Sequence, residues 1–477
     1  MRYWPLALAL SSVLAAEAAA AQDPPAAPDP GRAGAGTVAA RSTSQRRSLN
    51  LRAALDLALK HSPGLAALAY QQKADAAVLK ASDGYPNPEV SVEMEDFLGS
   101  GVARGVRALQ VTAVLSQQVQ LGGKPGARRA VRRTKESLSS LEYEVGRQGL
   151  LAEVASAFLE VLAQQRRLAN AGEMTELANE TVSAIDIQLQ AGRATPMEVD
   201  KAAIVRSLSS LAEEQSRRAL LAARQTLAAV CGQEAAFFEE AQGSLEHLRP
   251  LPSLPSLLQG MGRHPRLRAR AAQIRYQRDV LALEKSARVP DIALSAGLRW
   301  LHATRDRAIV AGVAIPLPLW DRNEGAIGAA AYAKLRAEQE SASERLTMIE
   351  DLTRAYHALA LEHQRAKVLQ REIHPKVAAT FEATKEGYRI GRFGYLDLLD
   401  AQRTLFEVKQ QTLDALVAYH RAAIRLAQIA ATPIRLTLFE PPDGPSQGNA
   451  ATVQRRGSVT MTGAGRGPRN RGLEHDD

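Results

Sequence analysis

The stretch YRIGRFGYLDLLDAQRTLF, Tyr388 to Phe406, closes one helical run on glycines and immediately opens another. Its two acids, Asp397 and Asp400, lie one helical turn apart just past the reversal. Counting back 199 residues, the chain reads LQAGRATPMEVDKAAIV, Leu189 to Val205, with the same plan. Gly192 and Gly391 are each followed by an arginine, Arg193 and Arg392, and six residues after each glycine comes an acid, Glu198 or Asp397. A reversal written twice between long helices implies that the chain around it is duplicated as well.

The duplication extends upstream. HSPGLAALAYQQKADAAVLKASDGYPNPEVSVEME, from His61, matches RHPRLRARAAQIRYQRDVLALEKSARVPDIALSAGLR, from Arg263. Pro63 falls on Pro265, Gln71 on Gln273, Leu79 on Leu281 and Pro88 on Pro290, each 202 positions apart without a gap. The join lies in the proline-rich LRPLPSLPSLL near Pro250 to Pro255, which divides the chain into repeats at 48–249 and 250–440.

Each repeat reads as helix, two strands, very long helix, tight turn, long helix. Period-two alternation marks the strands. Val90, Val92 and Met94 alternate with Ser91, Glu93 and Glu95, and Leu109, Val111, Ala113 and Leu115 follow less cleanly. In the second repeat Ile292, Leu294, Leu298 and Trp300 share a face, as do Ile309, Val313, Ile315 and Leu317. That predicts four strands of roughly 10 to 12 residues in two hairpins. No proline interrupts the chain between Pro125 and Pro196, so a helix there can approach about 100 Å at ~1.5 Å per residue. Leu138, Leu141, Val145, Ala152, Ala155, Leu159 and Leu162 follow coiled-coil spacing, and so do Leu405, Val408, Ala415, Tyr419, Ala422, Leu426 and Ile429. The matching run of the second repeat carries Pro375, where a kink or helix end is expected.

Composition narrows the function classes. Aromatic residues are 4% of 477, which suits helix-rich packing more than a β-sandwich. The net charge of +9 is spread along helices among Glu and Gln, with no aromatic-plus-basic motif, so nucleic-acid binding is not expected. MRYWPLALALSSVLAAEAAAAQ reads as a signal peptide over 1–21, too short and too interrupted by Glu17 to span a membrane. A disordered linker, 22–47, and a disordered basic tail, 441–477, are expected from their Gly, Pro, Ser and Arg content. The single cysteine, Cys231, excludes an intrachain disulfide and reads as a small buried residue near a helix end.

Four strands cannot close a membrane barrel, since such barrels begin at about eight strands, and open sheet edges are not tolerated in lipid. Other copies of the chain must therefore complete the sheet. Three copies give twelve strands, continued by a matching helical tube: the architecture of a conduit.

The residues YPNPEVSVE, LSQQVQLGGKPGAR, AGVAIPLPLWDRNEG and YRIGRFGYLDLLDAQRTL, on this duplicated plan, resemble the TolC-type outer-membrane efflux proteins over roughly 48–439. LGGK with IPLPLWDRNEG is most similar to the heavy-metal (cobalt–zinc–cadmium, CzcC-like) branch. The resemblance implies a mainly α fold with a small β part: long helical hairpins forming a periplasmic tunnel, and four strands per chain in a trimeric twelve-stranded outer-membrane barrel. It implies an exit duct without catalytic activity, cofactor or resident metal. A periplasmic adaptor and an inner-membrane resistance-nodulation-division pump would feed it. It further implies an acidic ring at the tunnel mouth from Asp397 and Asp400, with Glu198 as the first-repeat equivalent. Tip turns for adaptor docking would be Gly192, Arg193, Gly391, Arg392 and Gly394, with Tyr388 in the latch of the closed mouth. The arginine of that latch falls here on Phe393, with Arg392 beside it and Arg193 in the first repeat as substitutes. Read without the resemblance, the acids simply complement helix dipoles.

Other signals carry less. LGGKPG lacks the Ser or Thr a phosphate loop needs after its lysine, and reads as a strand-to-helix turn with Pro125 near the helix start. The histidines are scattered, and His357 and His363, six apart, do not share a helix face as ligands. A soluble periplasmic coiled-coil adaptor has no use for four alternating strands, and a secreted hydrolase has no arguable catalytic set. Within the duct class, drug efflux and type I protein secretion are the alternative cargoes.

Overall fold

The computed structural model describes residues 48–81 and 84–431; the signal peptide, the 22–47 linker and the tail lie outside the described residues. The first repeat runs β1 (Ser48–Asn50), α1 (Leu51–His61), α2 (Pro63–Lys80), β2 (Glu89–Glu95), β3 (Gln110–Val119), α3 (Lys124–Gln190), α4 (Pro196–Val230) and β4 (Glu240–Gln242). The second runs α5 (Leu254–Gly260), α6 (Pro265–Ser286), β5 (Ile292–Leu301), β6 (Asp306–Ala314), α7 (Glu324–Val368), a π-helical turn (Leu369–Ile373), α8 (His374–Arg389) and α9 (Tyr395–Ala430).

The uninterrupted α3 has 67 residues, about 100 Å at ~1.5 Å each. Its seam is the one the spacing gives: Leu138, Leu141, Ala152, Ala155, Leu159 and Leu162 are all buried. On α9, Thr412 interrupts the apolar seam but is buried too, its hydroxyl donating to Val408 O at 2.7 Å. The second repeat splits its long helix at Pro375. Proline has no N–H and its ring crowds the carbonyl four residues back. The chain absorbs this by widening one turn, so that the His374 N–H donates to Leu369 O, five residues back, and helix resumes.

The main core gathers the middle of α3 (Val154, Phe158, Val161), the end of α4 (Leu227, Cys231), α1 (Ala54, Ala58), the middle of α7 (Met348, Leu352) and the second half of α9 (Leu416, Ile424). Cys231 is buried there, and burial pushes its thiol up to about 11. Next to it β1 and β4 pair in parallel, Leu49 opposite Ala241. His420 of α9 is buried with Nε2 2.9 Å from Leu245 O, and since a carbonyl only accepts, Nε2 carries the proton. Burial pushes this imidazole down to about 4, so it is neutral at physiological pH and ties the segment after β4 to α9.

The strands form one antiparallel sheet in the order β2-β3-β5-β6, joining the two hairpins through β3 and β5. β3 and β5 have the expected length at 10 residues each, whereas β2 and β6 are shorter than the alternation suggested, at 7 and 9. Ile315 and Leu317, expected on the β6 face, lie past its end at Ala314. Pro316 between them has no N–H to give to a ladder.

Candidate functional site

Two regions hold the residues the sequence singled out, the sheet face and the helical reversals. In the sheet, register places Val90, Val92 and Met94 opposite Leu115, Ala113 and Val111. The row continues through Ala296, Leu298 and Trp300 of β5 to Ala311, Ile309 and Arg307 of β6. This face is apolar and uncovered: Val90 is 68% exposed, Leu298 62%, Ile309 83% and Val313 67%. A contiguous apolar surface of this size has a partner other than water. The opposite face is polar, with Arg299 Nε donating to Thr112 Oγ1 at 3.0 Å and Thr112 buried. Apolar on one face and polar on the other is the pattern of a strand set between lipid and a lumen. Ten residues at ~3.3 Å suit the 9 to 11 that a tilted spanning strand needs. Among the described residues no helix is long and apolar enough to cross a membrane.

Where β3 passes into α3, the LGGKPG turn puts Gly122 and Gly123 at φ +71° and +74°. A Cβ on Gly122 would sit 2.8 Å from Val289 Cβ, so the turn packs directly on the segment between α6 and β5. That packing brings Lys124 Nζ to 2.6 Å from Asp291 Oδ1, with both side chains mostly buried. The Leu121 N–H (3.1 Å) and Gln118 Nε2 (3.2 Å) donate to the same carboxylate. Burial alone would raise the Asp291 pKa, but these donors outweigh it and hold the carboxyl below its ordinary value. Sequence reasoning missed this pair, because its members are 167 residues apart.

At the tip, both helix reversals close in the same way. Gly192 (φ +69°) and Gly391 (φ +79°) take the left-handed conformation after α3 and α8. Arg193 N donates to Gln188 O and Arg392 N to Gly387 O, each at 2.8 Å, the six-to-one bond of a Schellman turn. The next helices are capped by the two equivalent acids. Glu198 Oε2 accepts from Thr195 N at 2.7 Å and from the Thr195 hydroxyl at 3.0 Å, while Asp397 Oδ2 accepts from Gly394 N at 2.9 Å. The Thr195 backbone bond, then its hydroxyl, holds Glu198 below the usual carboxylate range. Capping leaves the second carboxylate oxygen of each acid open, and Asp397, Asp400 and Glu198 side chains are not enclosed.

The two reversals meet through Tyr388, whose hydroxyl bonds Gln188 Oε1 at 3.1 Å and joins α8 to α3. Tyr395, Val182, Ile185 and Ala202 form a small core beneath it. Burial raises the pKa of both tyrosines, and the Glu198 charge adds to it, which brings the first-repeat acid and the second-repeat tyrosines into one neighbourhood. Asp397 and Asp400 instead line an open cleft with Phe381, Phe393 and Thr404. Phe393, at the expected latch-arginine position, lays its ring over Gly387, where any Cβ would run into it. Sequence reasoning did not single out Gln188 or Gly387; a glycine inside a helix was the available signal for the second. Arg193 and Arg392 are exposed at their turns.

Comparison with known proteins fits this geometry. The family model described as outer membrane efflux protein matches residues 54–233 and 259–432, one match in each repeat. The cobalt-zinc-cadmium resistance protein CzcC of Cupriavidus metallidurans is 31% identical over 379 residues, 79% of this chain and 88% of that protein. The nickel and cobalt resistance protein CnrC of the same organism is 26% identical, covering 61% of this chain and 69% of its own. Among solved structures, the outer membrane protein VceC of Vibrio cholerae superposes with a TM-score of 0.66 at 17% identity, over 80% of this chain and 95% of that one. A duplicated chain with an uncovered apolar sheet face and paired helical reversals, matched along both repeats, belongs to the outer membrane efflux protein family, its sheet in the outer membrane and its long helices in the periplasm.

Proposed function

We propose that the chain is the exit duct of a tripartite efflux system and that heavy-metal cations are its cargo. The observation that carries this is the 31% identity to a cobalt-zinc-cadmium resistance protein across 79% of the chain. The outer edges of β2 and β6 support the assembly: among the described residues neither edge has a partner strand, and unpaired edges are not tolerated in lipid. Three copies close twelve strands, and the helices continue them as a tunnel into the periplasm. Each chain then brings two reversals to the mouth, where Gly192, Arg193, Gly391, Arg392 and Gly394 meet a periplasmic adaptor linked to an inner-membrane pump. The Tyr388–Gln188 bond holds the two hairpins together at that mouth. Asp397, Asp400 and Glu198, repeated threefold, form an acidic ring that draws cations and passes them without chemistry.

Growth under metal stress tests the reading. With its adaptor and pump, the protein is expected to restore growth in cobalt, zinc or cadmium to a host lacking such a duct. Restored resistance to organic toxicants alone would overturn the cargo while leaving the duct intact. The ring is tested separately by Asp400→Asn, which removes a charge without touching the Gly394 cap. At low ionic strength the cation preference of bilayer conductance is expected to fall about tenfold, fading as salt screens the mouth. Selectivity equal to the parent at every salt concentration would leave these acids as helix-dipole partners only.

A further inference from the structure

The two hairpin turns differ in a way that the duct does not require. The helices attach at the β2 and β5 starts and the β3 and β6 ends, so both turns lie at the opposite end of the sheet, outside the cell. The β5–β6 turn is the short His302–Arg305. The β2–β3 turn spans 96–109 and has a fold of its own. Leu98 N donates to Gly105 O at 2.7 Å and Gly99 N to Ala103 O at 3.0 Å, while Gln110 Nε2 ties down Asp96 Oδ2 at 2.9 Å.

This ordered loop turns its apolar side chains outward. Val102 is 88% exposed, Leu98 77%, Val106 54% and Phe97 44%. Leu98 even takes φ +58°, an unfavourable conformation for a side chain with a Cβ, without gaining burial. The only basic side chains of the loop, Arg104 and Arg107, are exposed among these residues. The acids at the loop base are engaged elsewhere, Asp96 with Gln110 and Glu95 with Arg299 at 3.9 Å. The loop is thus a basic, apolar projection at the outer end of a sheet face that already lies against lipid.

We infer that this loop is a docking element for phosphorylated glycolipid of the outer leaflet. Val102, Leu98, Val106 and Phe97 enter the boundary between headgroups and acyl chains, and Arg104 and Arg107 bind headgroup phosphates. Apolar and cationic groups side by side match that boundary, which is apolar below and anionic above. The bidentate fit of guanidinium to phosphate adds geometric selectivity. The lipid face of β2 runs directly into the loop through Val90, Val92 and Met94, so the element extends an interface the chain already has.

Two measurements on the full-length protein in lipid nanodiscs decide it. Cys231 is buried, so Val102→Cys can be labelled selectively with an environment-sensitive dye, with Thr304→Cys in the short turn as the control. The Val102 label is expected to be quenched by lipid-borne quenchers and shielded from iodide, and the Thr304 label the reverse. Equal iodide quenching at both sites overturns the inference. So does a Val102 label that blocks conductance, which would place the loop over the channel mouth, or an unlabelled Val102→Cys variant that forms disulfides between neighbouring copies. In the second measurement, Arg104→Gln with Arg107→Gln is expected to lower the preference for lipid A over its dephosphorylated form about thirty-fold, at about 1 kcal/mol per arginine near a charged lipid surface. An unchanged preference removes the phosphates from the account.

Discussion

Gly232→Ala is expected to destabilise the protein by about 3 to 5 kcal/mol, the sum of a left-handed backbone penalty and a steric one. Gly232 ends α4 at φ +75°, with its N–H donating to Ala229 O and the Gln233 N–H to Ala228 O, both at 2.9 Å. That conformation alone costs any residue with a Cβ about 1 to 2 kcal/mol. The larger part comes from packing. A Cβ here would lie 2.7 Å from the carbonyl carbon of His61 and closer still to its oxygen. Backbone cannot rotate aside as a side chain can, so α1 has to shift away from the core around Cys231 and Leu227. Gly192→Ala supplies the control: its φ is +69°, but nothing lies within 4 Å of the added Cβ. It should cost only the backbone part, about 1 kcal/mol. Denaturant unfolding followed by helical circular dichroism measures both variants. Equal losses at the two positions would show that α1 does not press on the α4 terminus.

Asp291→Ala is expected to cost about 3 kcal/mol, in the range for removing one partner of a buried ion pair. Lys124 would keep its charge in a mostly buried site with no carboxylate at 2.6 Å, and the Leu121 N–H would lose its acceptor. The double variant Lys124→Met/Asp291→Leu removes the stranded charge and should recover part of the loss, which makes the coupling measurable as a cycle. The pH dependence has a definite sign. A carboxyl held below its unfolded pKa contributes stability that is present above the unfolded value, near 4, and is lost as pH falls through the lower folded value. Asp291→Ala should therefore flatten the acid side of the stability profile. A loss under about 0.5 kcal/mol would mean that the pair behaves like an exposed surface bridge. Because Lys124 opens the long helix of the first repeat and Asp291 immediately precedes β5 of the second, the pair ties the repeats together where sheet meets helices.

What the sequence determined by itself is what repeats within a short window. Apolar residues at coiled-coil spacing without proline gave a 67-residue helix, and a two-residue period gave the strands their apolar-face residues, apart from Ile315 and Leu317 beyond the end of β6. Glycine followed at six residues by an acid gave both tip turns, because the left-handed turn and the capping carboxylate are local chemistry. The matched offset of 202 residues made the duplication visible, and with it the conduit plan and the family.

The tertiary structure decided whatever depends on which distant segments touch. The β3–β5 register, the parallel β1–β4 pair, the Lys124–Asp291 bridge and the Tyr388–Gln188 bond each join residues more than 150 positions apart, and no local pattern encodes such a meeting. Pro375 announced an interruption, and only the folded chain shows that it is a widened turn instead of a helix end. Phe393 read as a departure in a latch; its ring over Gly387 became apparent only once the reversal had folded back on α8. A periodic pattern fixes an element because its hydrogen bonds and burial lie within a few residues. A long-range contact forms only after those elements have been placed, and its partners are chosen by shape and desolvation at the point of meeting.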